Sequence, residues 1–113
     1  MPTIRHESEA DDTPWPDDGF TGEWIVEWPN GQVKVKSRFI DGKADGDYLC
    51  YWANGNFAQK GINKNGICIG LWEDFWEDGM KFKETYYEDP NNFTERWLDQ
   101  QGKVERVNTF RNG

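Results

Sequence analysis

GEWIVEWPNG, residues 22–31, returns as GDYLCYWANG at 46–55 and as GLWEDFWEDG at 70–79. The three segments align without gaps at a step of 24 residues. Each sets an aromatic two places after its first glycine (Trp24, Tyr48, Trp72), a tryptophan four places later (Trp28, Trp52, Trp76) and a second glycine three beyond that (Gly31, Gly55, Gly79). Self-similarity at a fixed period is the mark of a repeat architecture, in which each unit covers its apolar face with its neighbours. A further turn signal separates the units. It reads Asp18-Gly19, Asp41-Gly42, Asn65-Gly66 and Asn112-Gly113, with Asp89-Pro90 in the corresponding place after the third unit. The fourth unit keeps Gly102 but is one residue shorter and has lost most of the aromatic columns. The units fall at about 22–45, 46–69, 70–93 and 94–113, within a repeat region of 19–113.

The flanks of each Asn-Gly or Asp-Gly pair alternate in polarity, which is the signature of strands rather than helices. Asn30-Gly31, Asn54-Gly55 and Asp78-Gly79 suit a two-residue type I′ hairpin turn, because these residues tolerate positive φ. Such a turn predicts a register. Trp28 would face Val33, Val26 would face Val35 and Trp24 would face Ser37, all on one side of the sheet. Glu27 with Lys34, Ile25 with Lys36 and Glu23 with Arg38 would form the other, charged side. In the second unit Trp52 faces Phe57 and Cys50 faces Gln59. In the third, Trp76 faces Lys81 and Asp74 faces Lys83, with Phe75 against Phe82 on the reverse. The expected fold is all-β: one curved antiparallel meander of successive hairpins, about eight strands. With no helical segment to form a second layer, the tryptophan face is covered by its own curl, by the proline-rich arm carrying Trp15, or by another protein.

Composition narrows the function. The chain has 113 residues, enough for one domain, with 18 aromatic residues and 12 glycines. Its net charge is −8. Residues 1–18 hold six acids and one base, −5 of that total; the remainder, with fifteen acids and twelve bases, supplies −3. The arm 1–18 therefore reads as acidic and disordered or loosely packed. Lysine and arginine are not clustered, which argues against direct contact with nucleic acid. The sign of the charge opposes an anionic membrane surface and favours a basic partner. Cys50 and Cys68 match neither a zinc nor a redox spacing, and reduced thiols of this kind are expected of a cytoplasmic protein. There is no leader-like or membrane-spanning apolar run.

No catalytic constellation can be assembled. The one histidine, His6, lies in the arm, and only Ser8 and Ser37 offer serine hydroxyls. Alternation sends Glu73 and Asp74 to opposite faces, and Asp78 belongs to a turn, so these carboxylates do not pair. Asp41, Asp45 and Asp47 do not follow the EF-hand order and are not repeated in the other units. The expectation is a protein that is not an enzyme and that needs no cofactor or metal.

The recurring G-x-[WY]-x(3)-W-x-[NED]-G unit, with its second turn and its 24-residue step, resembles the MORN repeat, and most closely the variant type found in bacterial proteins. The resemblance covers about residues 19–113. It implies an elongated, curved sheet of hairpins and a role in binding: scaffolding, membrane-lipid contact in some members, or neutralisation of a toxin by an antitoxin or immunity protein. A short acidic chain of repeats alone is similar to the last group. On that reading the partner is a protein, a basic toxin, whose active or substrate-binding surface is occluded. Trp24, Trp28, Tyr48, Trp52, Trp72 and Trp76 would supply aromatic anchors, and Glu73, Asp74 and Glu77 the carboxylates. The rival expectation is a scaffold or assembly module that self-associates, as a homodimer or beyond, through sheet edges or the tryptophan face.

Overall fold

The computed structural model describes residues 3–7, as backbone, and residues 14–111. Nine strands form one open sheet in chain order. They are β1 (Thr3–Glu7), β2 (Gly22–Glu27), β3 (Val33–Ile40), β4 (Lys43–Tyr51), β5 (Phe57–Lys64), β6 (Ile67–Phe75), β7 (Lys81–Asp89), β8 (Asn92–Leu98) and β9 (Val104–Phe110). Strands β2 to β9 are antiparallel throughout, the expected meander of hairpins. The ninth strand comes from the arm: β1 pairs parallel with β2, Thr3 opposite Glu23 through Glu7 opposite Glu27. Nothing in its short, mixed sequence distinguishes it from a solvated tail. Of the turn signals, Asn112-Gly113 lies outside the described residues.

The turns carry a correction. Asn30-Gly31 is not a two-residue turn. Trp28 N–H donates to Gln32 O (2.7 Å) and Gly31 N–H to Trp28 O (2.9 Å), so three residues, Pro29, Asn30 and Gly31, form the loop. Asn30 is not at positive φ, whereas Gly31 is at +89°. This is a type I turn closed by a glycine bulge, with proline at the position whose φ it presets. The same bonds close the tips at Trp52–Asn56, Trp76–Met80 and Asp99–Lys103. The true type I′ turns are the second signals, where Asp41 (φ +50°) and Gly42 (+79°), and Asn65 (+53°) and Gly66 (+81°), are both left-handed.

A three-residue loop moves the register by one. The tip pairs are accordingly Glu27 with Val33, Tyr51 with Phe57 and Phe75 with Lys81, not the expected Trp28–Val33, Trp52–Phe57 and Trp76–Lys81. A bulge next to each tip restores the register, and the inner pairs are as expected: Val26–Val35, Trp24–Ser37, Cys50–Gln59 and Asp74–Lys83. The expected Phe75–Phe82 pair does not form. Bulges recur at the opposite end, between Ser37 and Phe39 and between Lys60 and Ile62. There Gly46 (φ +109°) and Gly70 (+66°), the opening glycines of the second and third units, lie on the bulged strand. Two bulges per repeat bend and twist the sheet.

Adjacent units are also laced together at the turn end. Gly42 N–H donates to Phe20 O and Gly66 N–H to Ala44 O, both at 2.8 Å. Asp41 N–H donates to Thr21 Oγ1 (3.0 Å) and Asn65 N–H to Asp45 Oδ2 (3.1 Å). A Cβ at Gly42 would come within 2.9 Å of Asp18 Cα and Gly19 N, both backbone, whereas one at Gly102 (φ +81°) would meet nothing. We therefore expect Gly42→Ala to lower unfolding free energy in urea by roughly 2–3 kcal/mol and Gly102→Ala by about 1 kcal/mol, the left-handed penalty alone. Equal losses at the two positions would contradict the lacing.

The core lies at the first hairpin. Trp24, Val26, Val35 and Phe39 are buried together, with Phe20, Ala44, Tyr48 and Cys50 packed against them. The segment 14–21 covers this end: Phe20 meets Trp24 edge-on (5.5 Å), Trp24 Nε1 donates to Pro14 O (3.1 Å), and Trp15 stacks on Tyr48 (6.5 Å). Beyond Trp15 the rings cover one another, Tyr48–Trp72–Tyr87–Phe93–Phe110, at centroid separations of 4.6 to 6.4 Å. Both the arm and self-stacking thus cover the tryptophan face, and no described residue of β8 or β9 is buried.

Candidate docking surface on the tryptophan face

The nine residues singled out from the sequence occupy three different places. Trp24 and Trp72, 7% and 6% exposed, are core. Tyr48 lies between them, with Gly61 opposite it on β5, and the Trp72 ring lies over that glycine. Trp72 Nε1 donates to Ile62 O (3.2 Å), ten residues back. Trp24 makes the equivalent bond to Pro14 O, also ten back, so Pro14 takes the place of the strand that a preceding repeat would supply. Burial, with Cys50 alongside, drives the Tyr48 hydroxyl far above its ordinary range, and burial likewise pushes the Cys50 thiol up. Cys50 and Cys68 are free thiols.

The second tryptophan column stands at the hairpin tips. Trp28 Nε1 donates to Tyr51 O (3.0 Å) and Trp52 Nε1 to Phe75 O (3.1 Å), each 23 residues ahead. Asn30 Nδ2 donates to Ala53 O and Asn54 Nδ2 to Glu77 O, both 2.8 Å and again 23 ahead. The first and second tips are thus each tied to the next by an indole and an amide. Both columns are legible in the sequence, where the asparagines read only as turn formers; the step of 23 between donor and acceptor is the signal that exposes the ties. Trp52→Phe removes an indole N–H and leaves a part-buried carbonyl unmatched, so it should cost about 1–2 kcal/mol. Trp76→Phe should cost less than about 0.5 kcal/mol, because Trp76 is exposed and makes no such bond among the described residues. Urea midpoints of the two variants test the difference.

The carboxylates divide as alternation requires. Glu73 is on the reverse face, where Lys81 Nζ donates to it (2.9 Å) and to Glu84 (2.8 Å). Asp74 is on the tryptophan face and accepts from Gln59 Nε2 (3.0 Å); burial pushes its carboxyl up, against the opposing pull of Lys83. Glu77 is exposed at the third tip. They do not converge on one point.

Two features along the tip side of this face can receive a partner. Toward the N-terminal end, a cleft of about 250 Å³ is lined by Trp15, Trp28, Lys34, Tyr48, Cys50 and Trp52. The tip bulge turns Lys34 inward beside Val35, so that the lysine is only 7% exposed and its ammonium lies over the Trp28 ring at 4.9 Å. Toward the C-terminal end, Trp76 is 55% exposed and stacked on Phe82 (4.0 Å), and Trp97 lies between Lys83 (4.8 Å) and Arg106 (4.9 Å). Trp15 reaches this face on the arm, one of the covers expected from the sequence, whereas Lys34 and Trp97 are not expected there, since Trp97 lies outside the repeat columns and Lys34 is turned inward by a bulge. The reverse face carries a second exposed apolar stripe, with Ile62, Leu71 and Tyr86 44–56% exposed.

No curated protein and no solved structure matches the chain at a significant level. Residues 20–41, the first hairpin with its tip loop, match a family model described as a MORN repeat variant, a repeat linked in general to protein- and membrane-binding modules rather than to enzymes.

Proposed function

We propose that this chain is a protein-binding module of the antitoxin or immunity type, which occludes a basic protein by laying the tip side of its tryptophan face over the partner's working surface. The observation that carries this is an exposed aromatic rim on a rigid sheet. Trp15 and Trp76 are 50% and 55% exposed, while the rings beside them are fixed by stacking and by indole bonds to neighbouring repeats. Rigid, half-exposed tryptophans bury much area at small entropic cost, which is how interface anchors work. Acidic charge speeds encounter with a basic partner. The test is co-expression with the product of the reading frame adjacent to this one in its genome. A stable complex and relief of growth inhibition are expected; neither complex nor relief would contradict the reading.

A second reading, self-association into a scaffold, is favoured by β9. Among the described residues its outer edge pairs with nothing, and Val104, Val107 and Phe110 are 43–53% exposed. Light scattering separates the two, since a mass independent of concentration is expected of the binder and not of the scaffold.

A further inference from the structure

The tip row performs one arrangement twice and then abandons it. By the step that takes Trp28 to Tyr51 O and Trp52 to Phe75 O, Trp76 would reach Leu98 O, the corresponding carbonyl of the shortened fourth unit. It does not. Its ring lies on Phe82, centroids 4.0 Å apart and planes 23° apart, and Phe82 in turn meets Trp97 at 6.2 Å. The cause is in the sequence. Phe82 stands where the first two units have Lys34 and Ala58, and Trp97 where the units following them have Cys50 and Asp74. Two large rings thus fill the space through which the indole would pass. The tie from the amide is lost as well, because Asp78 replaces Asn30 and Asn54 and has no N–H to give.

Charge accompanies the released ring. The first two tip loops, Pro29-Asn30-Gly31 and Ala53-Asn54-Gly55, are neutral, but the third holds Glu77 and Asp78. Both are exposed, and among the described residues neither forms an ion pair. The cations that follow on β7 are engaged elsewhere: Lys81 with Glu73 and Glu84, Lys83 with Glu95 at 2.9 Å. Arg106 already covers Trp97. What remains open is one indole, stacked on its inner side, next to the Glu77 carboxylate and the second carboxylate oxygen of Asp78, whose Oδ1 accepts from Met80 N–H at 2.9 Å.

We propose that Trp76, Glu77 and Asp78 form the docking point for an arginyl side chain of a basic protein partner. A guanidinium lies flat on the indole surface that Phe82 leaves uncovered, and its fork of N–H donors meets the carboxylates. A lysyl ammonium satisfies the charge but neither the stacking nor the fork. This rests on the protein-binding reading above and names the chemistry of one of its contacts.

The experiment is a titration of the full chain, ¹⁵N-labelled, with capped tetra-arginine, tetra-lysine and tetra-citrulline peptides. The Trp76 indole N–H and Gly79 amide signals should move saturably with tetra-arginine, several-fold more weakly with tetra-lysine, and not with tetra-citrulline. Trp76→Leu should weaken tetra-arginine binding roughly two- to fivefold, read at Gly79, the loss expected for a solvent-exposed cation–π contact. The double variant Glu77→Gln/Asp78→Asn should weaken it further. Equal affinity for arginine and lysine peptides, unchanged affinity in Trp76→Leu, or shifts confined to other residues would overturn the proposal. A parent chain that binds tetra-arginine as expected but forms no complex with the neighbouring gene's product would count against the protein-binding reading and leave this docking point supported.

Discussion

Gly61→Ala should cost about 3 kcal/mol or more of folding free energy, among the largest losses available from a single added methyl group in this chain. A Cβ at residue 61 would stand 2.0 Å from Trp72 Cδ2 and 2.3 Å from two further ring atoms. That ring cannot simply move aside. Its Nε1 is bonded to Ile62 O, and its faces and edges are met by Tyr48 at 5.4 Å and Tyr87 at 6.4 Å. Gly61 is itself buried and has no positive φ, so the penalty is steric and not conformational. A glycine in mid-strand ordinarily weakens a sheet, and replacing it with alanine ordinarily helps; here the sign reverses. Chemical denaturation of the variant measures it, and a loss below about 1 kcal/mol would mean that the ring does not rest on the backbone.

Trp72→Ala should be comparably damaging, about 3–5 kcal/mol, because it empties a buried site without letting the neighbouring strands collapse. The ring is 6% exposed and links the aromatic row between the second and third repeats. The two substitutions should also be coupled. With the ring gone, a methyl group at residue 61 meets open space, so Gly61→Ala in the Trp72→Ala background should cost little and the cycle should show an interaction of about 2 kcal/mol or more. Additive losses would place Trp72 somewhere other than over Gly61. Trp76→Ala, one column away, should leave the urea midpoint nearly unchanged.

The contrast between Trp72 and Trp76 shows how far the sequence could be read. Period, hairpins, strand count to within one and the side of each inner residue followed from the spacing of Gly22, Trp24, Trp28 and Gly31 and their successors, because side-chain alternation leaves little freedom once a turn is placed. The tip pairs were displaced by one because Asn-Gly is compatible with two loop lengths. The deciding feature, a hydrogen bond from Gly31 N–H to Trp28 O with Asn30 at negative φ, has no signature in the pair itself. That Asp41-Gly42 would be the type I′ turn was equally open. The strand at Thr3–Glu7 depends on pairing with β2, a long-range property that five mixed residues do not announce.

The site was less legible than the fold. Six column aromatics looked equivalent in sequence, yet Trp24 and Trp72 are core, Trp28 and Trp52 are tied to the next repeat, and Trp76 alone of the tip column is released. What separates them is not their own identity. It is the bulk of Phe82 and Trp97, the exchange of asparagine for Asp78 and the missing residue of the fourth repeat, effects carried by neighbours one strand away. Trp15 joined the surface only because the segment before the repeats folds back onto Tyr48. In the same way Lys34, written as one of the charged face, is turned to the other by a bulge that sequence alternation cannot foresee.

Hydrogen exchange at the indole N–H groups, followed residue by residue in the ¹⁵N-labelled chain, asks directly whether the repeats hold both tied and released tryptophans. Trp24, Trp28, Trp52 and Trp72, whose Nε1 atoms each donate to a backbone carbonyl, should exchange slowly and lose protection together with global unfolding, while Trp76 should exchange at close to the rate of free indole. Protection of Trp76 equal to that of Trp52 would show that the tie to the fourth repeat is made after all, and would remove the released ring on which the docking surface is built.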